Sequence, residues 1–288
     1  MTAGFGNAPA MDTSSHLPRL ASNRRKLVLA GLVAACAIAP LFAMQASGGE
    51  AQELVVFAAA SLREVFQGMA LRFEKQHPNC KVRFNFAGSQ DLRVQIEQGA
   101  RVDVFASADW KHMKLLADGG VASEPVVFAR NLPVVVVPKN NPAKLRSFAD
   151  LPKATHLVVG AAEVPIGAYT EAIFAAAGKL YGQAFHEQIL ARVRSHELNV
   201  RQVLTKVALG EGDAGIVYKT DALTMPDKVQ MIEIPSQINI VAEYPIAILQ
   251  VAPHPDLARA FVKLVLSREG QNALAEAGFS QVEKQRTK

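Results

Sequence analysis

From residue 53 to residue 277, short apolar runs alternate with longer stretches whose apolar residues recur at helical spacing. No other feature constrains the fold so strongly. The spacing predicts strands at 54–59, 81–86, 102–106, 133–138, 156–160, 214–218, 229–233 and 244–251. It predicts helices at 61–77, 90–98, 109–118, 168–177, 182–193, 200–209 and 255–277. Strands that alternate with helices predict an α/β fold whose sheets are mostly parallel and covered on both faces. Half of the 288 residues are apolar, enough for a large core in one or two domains.

Two places read as crossings between lobes. At Phe128–Leu132 the polar pair Arg130-Asn131 interrupts the chain before an apolar strand, and at Ile240–Pro245 the chain enters a long strand. Taking both as hinge strands gives two α/β lobes joined by a two-strand hinge. Lobe I is then 53–131 plus 244–288, and lobe II is 132–243; one continuous domain is the alternative. A ligand would sit between the lobes, at the C-terminal ends of strands.

Residues 1–51 read as an export signal. Asn23-Arg24-Arg25-Lys26 precedes an apolar segment from Leu27 to about Ala43, and small and polar residues follow to Gln52. Cleavage is expected between about 43 and 51, with export to the periplasm; a retained membrane anchor is the alternative. Arg24-Arg25 loosely resembles a twin-arginine signal. Val33-Ala-Ala-Cys36 resembles a lipoprotein box and ranks below ordinary cleavage, because the apolar run continues past Cys36. Of the formal charge of +5, this segment carries +2. The mildly basic remainder has no dense Lys/Arg patch, so nucleic acid is not an expected partner. The chain has two cysteines, Cys36 and Cys80, so the exported body would hold one thiol and no Cys-based metal site.

Several strand ends run into helix starts. Leu54-Val-Val-Phe-Ala-Ala-Ala-Ser61-Leu-Arg-Glu64 carries an S-x-x-E pattern, which predicts a capping box. Phe86-Ala-Gly-Ser89 turns into a second helix that Ser89 can cap. In Val164-Pro-Ile-Gly-Ala-Tyr169, Pro165 suits a first helical turn, and Ile166 and Gly167 offer bare N–H groups. Asn199 reads as a cap before Val200, and the strand Ala214-Gly-Ile-Val-Tyr218 ends in a phenol. Helix starts carry unpaired N–H groups and a positive dipole end, which favour an anion. Each residue also has a plain structural role as a cap or core aromatic.

At these residues the chain resembles the periplasmic molybdate-binding protein of ABC transporters, with the type II periplasmic binding protein fold. The resemblance runs from about Glu53 to Phe279. It rests on Val56-Phe-Ala-Ala-Ala-Ser-Leu62, Phe86-Ala-Gly-Ser89, Ala100-Arg-Val-Asp-Val-Phe-Ala-Ser-Ala-Asp109, Val164-Pro-Ile-Gly-Ala-Tyr169, Asn199-Val-Arg201, Gly215-Ile-Val-Tyr218 and Glu243-Tyr-Pro245. It implies an oxyanion held by the hydroxyls of Ser61 and Ser89, the N–H groups of Ile166 and Val200, and the Tyr218 O–H. The N–H groups of Ser61 and Ser89 would join. Ala161-Ala162 and Asn199 stand where some members have Asp-Pro and Asp. The implied ligand is molybdate, and tungstate with it. The implied partner is a membrane permease of an ABC transporter, the protein acting as a monomer without a cofactor. Donors without acceptors suit a fully deprotonated tetrahedral dianion better than phosphate, which keeps a proton near neutral pH. Sulfate or another oxyanion is the alternative ligand.

An enzyme is not expected. No G-x-S-x-G elbow surrounds Ser61, no H-E-x-x-H spacing occurs, and the body's histidines are expected on the solvated surface. A regulator's effector domain would fit neither the export segment nor the lack of a preceding DNA-binding segment. Arg101, Asp103, Asp109 and Trp110 are expected at turns and on the surface. Asp221 is expected either to contact the transporter or to cap a helix.

Overall fold

A computed structural model describes residues 52–280. The expected export segment, its cleavage zone and Cys36 lie outside the described residues. Among the described residues, no helix is long and apolar enough to cross a membrane.

The chain forms two five-stranded sheets with helices. The first contains β1 (Gln52–Ala59), β2 (Cys80–Ala87), β3 (Val104–Ala106), β4 (Ala122–Asn131) and β10 (Ala242–Leu249), in the order β2-β1-β3-β10-β4. The second contains β5 (Pro133–Pro138), β6 (Leu157–Gly160), β7 (Val193–Glu197), β8 (Ala214–Tyr218) and β9 (Val229–Ile232), in the order β7-β6-β8-β5-β9. Between the first-sheet strands run α1 (Arg63–Gln76), α2 (Ser89–Glu97) and α3 (Trp110–Asp118), and α8 (Pro255–Leu266) and α9 (Arg268–Glu276) follow β10. The second sheet carries α4 (Pro165–Tyr181), α5 (Gln183–Leu190), α6 (Val200–Ala208) and α7 (Lys219–Leu223). The chain passes between sheets at Leu132 and again through residues 233–241.

The central strands are apolar on both faces, as a covered sheet requires: Leu54, Val56, Ala58, Val104 and Ala106 are fully buried, and every residue of β5 is buried. Phe66 of α1 meets Phe261 of α8 edge-on at 5.8 Å, with Phe128 at 5.7 Å, closing one face of the first sheet. Phe57, Phe105, Met113 and Leu116 close the other.

The expectation of mostly parallel sheets is corrected. β1 pairs in parallel with β2 and β3, and β6 with β7 and β8. The crossing strands run the other way: β10 is antiparallel to β3 and β4, and β5 to β8 and β9. A parallel neighbour needs a helical crossover on the same sheet, and the chain has none where it changes sheets.

Three elements escape the periodicity. β4 carries Pro125 and a bulge opposite Ile246–Ile248, tolerated because it is an edge strand. β7 is a polar edge strand, and α7 is five residues long. The single helix expected at 255–277 is two, because the Ser267 hydroxyl accepts from the Gly270 N–H and starts α9.

Candidate functional site

Ser61, Ser89, Ile166, Val200 and Tyr218 line one cavity. It is shared with Ala59, Ala60, Ala87, Gly88, Ala108, Val164, Pro165 and Asn199. No lining residue carries a charged side chain. The volume is about 10 Å³, against roughly 300–1,000 Å³ for pockets that take drug-sized molecules. As it stands this is close to the space of a single water molecule.

The expected capping box does not form. A 3-10 turn, Ala60–Leu62, separates β1 from α1, and Ser61 makes no cap. Its Oγ lies 3.0 Å from the Tyr244 hydroxyl of β10 instead. Nor does Ser89 cap its helix: Gly88 holds the cap position, and the Ser89 Oγ accepts from the Ala108 N–H at 3.0 Å. Ser61 is thus tied to β10 and Ser89 to the turn that follows β3.

From the second sheet, α4 begins at Val164 with Pro165 in its first turn and no side-chain cap. A Cβ on Gly167 would collide with the Ala161 carbonyl, so glycine lets this turn seat against the end of β6. At α6 the Asn199 side chain accepts from the N–H groups of Arg201 and Gln202. The N–H of Val200 is left to the N-terminal end of the helix. Tyr218 is 1% exposed, and its hydroxyl has no partner among the described residues. Burial pushes this phenol well above the ordinary tyrosine range, so it stays an O–H donor.

Polar bridges cross between the two sheets' elements around this cavity. Gln90 Nε2 donates to the Leu198 carbonyl at 2.7 Å. His112 Nε2 lies 2.8 Å from the Glu163 carbonyl, which can only accept, so that nitrogen carries the proton. Arg201 of α6 pairs with Glu64 of α1, its Nη1 at 2.9 Å from Oε1. Its Nε is 2.5 Å from Asp221 Oδ1, an ion pair by distance rather than an aligned hydrogen bond. Burial works against the Arg201 charge, but Asp221 and Glu64 outweigh it and keep it a guanidinium. Burial drives the Asp221 carboxyl up to about 6, with Arg201 opposing.

Several surface expectations are corrected. Asp103 is fully buried and accepts from the N–H groups of Val55 at 2.8 Å and His254 at 2.6 Å, tying β1 to the start of α8. Asp109 is buried as the cap of α3. His112 is buried as well. Asp221 is fully buried beside Arg201, which leaves it nothing to offer a transporter. Trp110, by contrast, is partly exposed. Its Nε1 donates to Glu243 at 2.9 Å, and Arg130 pairs with the same carboxylate. These side chains, Tyr169 and Val241 line a second, open groove of about 410 Å³. Among the described residues, no cluster of His, Cys, Asp and Glu could hold a metal ion.

Residues 54–280 match the family described as bacterial extracellular solute-binding protein. The molybdate-binding protein ModA of Mycobacterium tuberculosis is 40% identical over 256 residues, spanning 88% of this chain and 94% of the relative. A solved structure, the substrate binding domain of a putative molybdenum ABC transporter from Clostridium difficile, is 29% identical with a TM-score of 0.61. It covers 80% of this chain and 99% of its own. The sulfate-binding protein SubI from Mycobacterium tuberculosis superposes with a TM-score of 0.72 at 19% identity, covering 81% of this chain and 88% of its own. At that identity the likeness is one of fold.

Proposed function

Because the chain belongs to the bacterial extracellular solute-binding protein family, we propose that it captures molybdate between its lobes and delivers it to an ABC transporter permease. Tungstate, of the same charge and shape, is the second ligand of this reading. Residues 53–131 with 244–288 would form one lobe and 132–243 the other. The protein is exported by its first 51 residues and works as a periplasmic monomer. Its relatives bind solutes rather than catalyse reactions.

The observation that carries this reading is the buried Tyr218 hydroxyl, without a protein partner, in an uncharged cavity shared with two serines and two helix starts. The assigned donors are the hydroxyls of Ser61, Ser89 and Tyr218 and the N–H groups of Ile166 and Val200. Each charge-assisted hydrogen bond contributes about 1.5–3 kcal/mol, and the helix ends add their dipole field. The sum can hold a dianion without a cationic side chain. Because donors come from both sheets, the ligand bridges them and favours the closed arrangement by a hinge motion.

A thermal-shift panel of molybdate, tungstate, sulfate and phosphate tests the assignment. A ligand at a hundred times its dissociation constant stabilises by about 2.7 kcal/mol. Molybdate and tungstate are expected to do so. Stabilisation by sulfate or phosphate alone would replace the ligand in this reading.

A further inference from the structure

We propose that Tyr244 is a positioning residue: it fixes the direction of the Ser61 proton and so lets the site separate a fully deprotonated oxyanion from one still carrying a proton. This rests on the reading that Ser61 donates to the ligand.

Tyr244 does not line the cavity; it lies behind Ser61, 183 residues away in sequence, and is fully buried. Its hydroxyl and the Ser61 Oγ are 3.0 Å apart, and either oxygen could be the donor by distance alone. The surroundings decide. Among the described residues, Ser61 Oγ is the acceptor within reach of the Tyr244 proton. If Ser61 donated instead, that proton would be buried without a partner, at a cost of about 1–3 kcal/mol. The Ser61 proton, by contrast, has the cavity to point into.

The Asn131 amide supports the same direction. Its Oδ1 accepts from the Leu132 N–H at 3.0 Å, which fixes which end of the amide carries the protons. Its Nδ2, engaged with Thr220 Oγ1 at 2.8 Å, is a donor and gives the Tyr244 proton no acceptor. Protons therefore point one way, from Tyr244 to Ser61 and into the cavity. Ser89 is arranged alike, since its oxygen accepts from the Ala108 N–H and its proton stays free. With one of the two lone pairs of each serine oxygen already used, an anion that carries a proton meets a weakened acceptor where a bare dianion meets a free donor. A buried polar group left unpaired is a strong ground for rejection.

The test is isothermal titration of the purified protein with molybdate and with inorganic phosphate near neutral pH. The variants are Tyr244→Phe, Ser61→Ala and the double substitution. Tyr244→Phe keeps the ring and frees the Ser61 oxygen to accept. Molybdate affinity is expected to fall about tenfold, or about 1.4 kcal/mol, while phosphate holds or gains. In the Ser61→Ala background Tyr244→Phe is expected to change nothing further. Asn131→Asp, which keeps the phenol but offers its proton an acceptor on the other side, is expected to narrow the molybdate-to-phosphate ratio as well. It also decides the matter if Tyr244→Phe does not fold. Additive losses with an unchanged ratio would overturn the role of Tyr244 alone. A wild-type protein that ignores molybdate would overturn the ligand reading and this role with it.

Discussion

Arg201, in the first turn of α6, grips the carboxylate of Glu64 on α1, so one guanidinium links elements of both sheets beside the Val200 N–H. Glu64 is half exposed, which keeps such a pair weak, within about 1 kcal/mol. Glu64→Gln is therefore expected to speed molybdate release by less than tenfold, most clearly at low salt. Stopped-flow release at two ionic strengths checks this; equal rates for both proteins at low salt would remove Arg201–Glu64 from closure.

Tyr218 supports a prediction of opposite signs. Its buried hydroxyl has no protein partner, so Tyr218→Phe is expected to leave the ligand-free protein equally stable or up to about 1–3 kcal/mol more stable. Molybdate affinity is expected to fall ten- to a hundredfold. Ser61→Ala and Ser89→Ala should lose affinity on the same scale without the gain in stability, since each breaks an existing bond. Denaturant midpoints and titrations together decide it, and a stability loss in Tyr218→Phe would contradict the open hydroxyl.

Asp221 ties stability to pH. Its carboxyl is raised to about 6 in the folded protein, chiefly by burial, from 3.8 as an ordinary aspartate. As pH rises through this window, the unfolded chain gives up its proton first and is favoured. The Asp221 contribution is fully present below about 4 and lost by the time pH passes 6. Asp221→Asn has no proton to lose. The stability of wild type relative to this variant is therefore expected to fall between pH 4 and 6, read from urea midpoints. A pH-independent difference would contradict it.

Gly88 lies where the two halves meet. A Cβ there would lie 2.5 Å from the Leu198 carbonyl and would also meet the Gln90 side chain. The backbone conformation at Gly88 suits alanine, so Gly88→Ala should fold normally. It should also hold the halves apart and weaken molybdate at least tenfold. Small-angle scattering with saturating ligand would show a larger radius for the variant; an unchanged radius and affinity would discard the argument.

Local features were legible in the sequence because their partners are local. Pro165 starts α4, and Asn199 caps α6 through N–H groups two and three residues ahead. The Ser61 motif misled because its hydroxyl has a competing partner on β10, which no local pattern reveals. His112 and Asp103 read as surface residues because their hydrogen bonds run to Glu163, Val55 and His254. β7 was hidden by edge exposure, which removes the apolar alternation a covered strand carries. The five candidate site residues were named through family motifs, since serines and bare N–H groups announce no ligand by type.

The indole of Trp110 lines the open groove together with Arg130, Tyr169, Val241 and Glu243, and its N–H is tied to Glu243 on β10. It is the chain's single tryptophan. Tyr169 approaches from the second sheet's α4, so the indole's surroundings include both halves. The protein thus carries a built-in fluorophore at the joint, and its emission colour can follow each titration described above without a label.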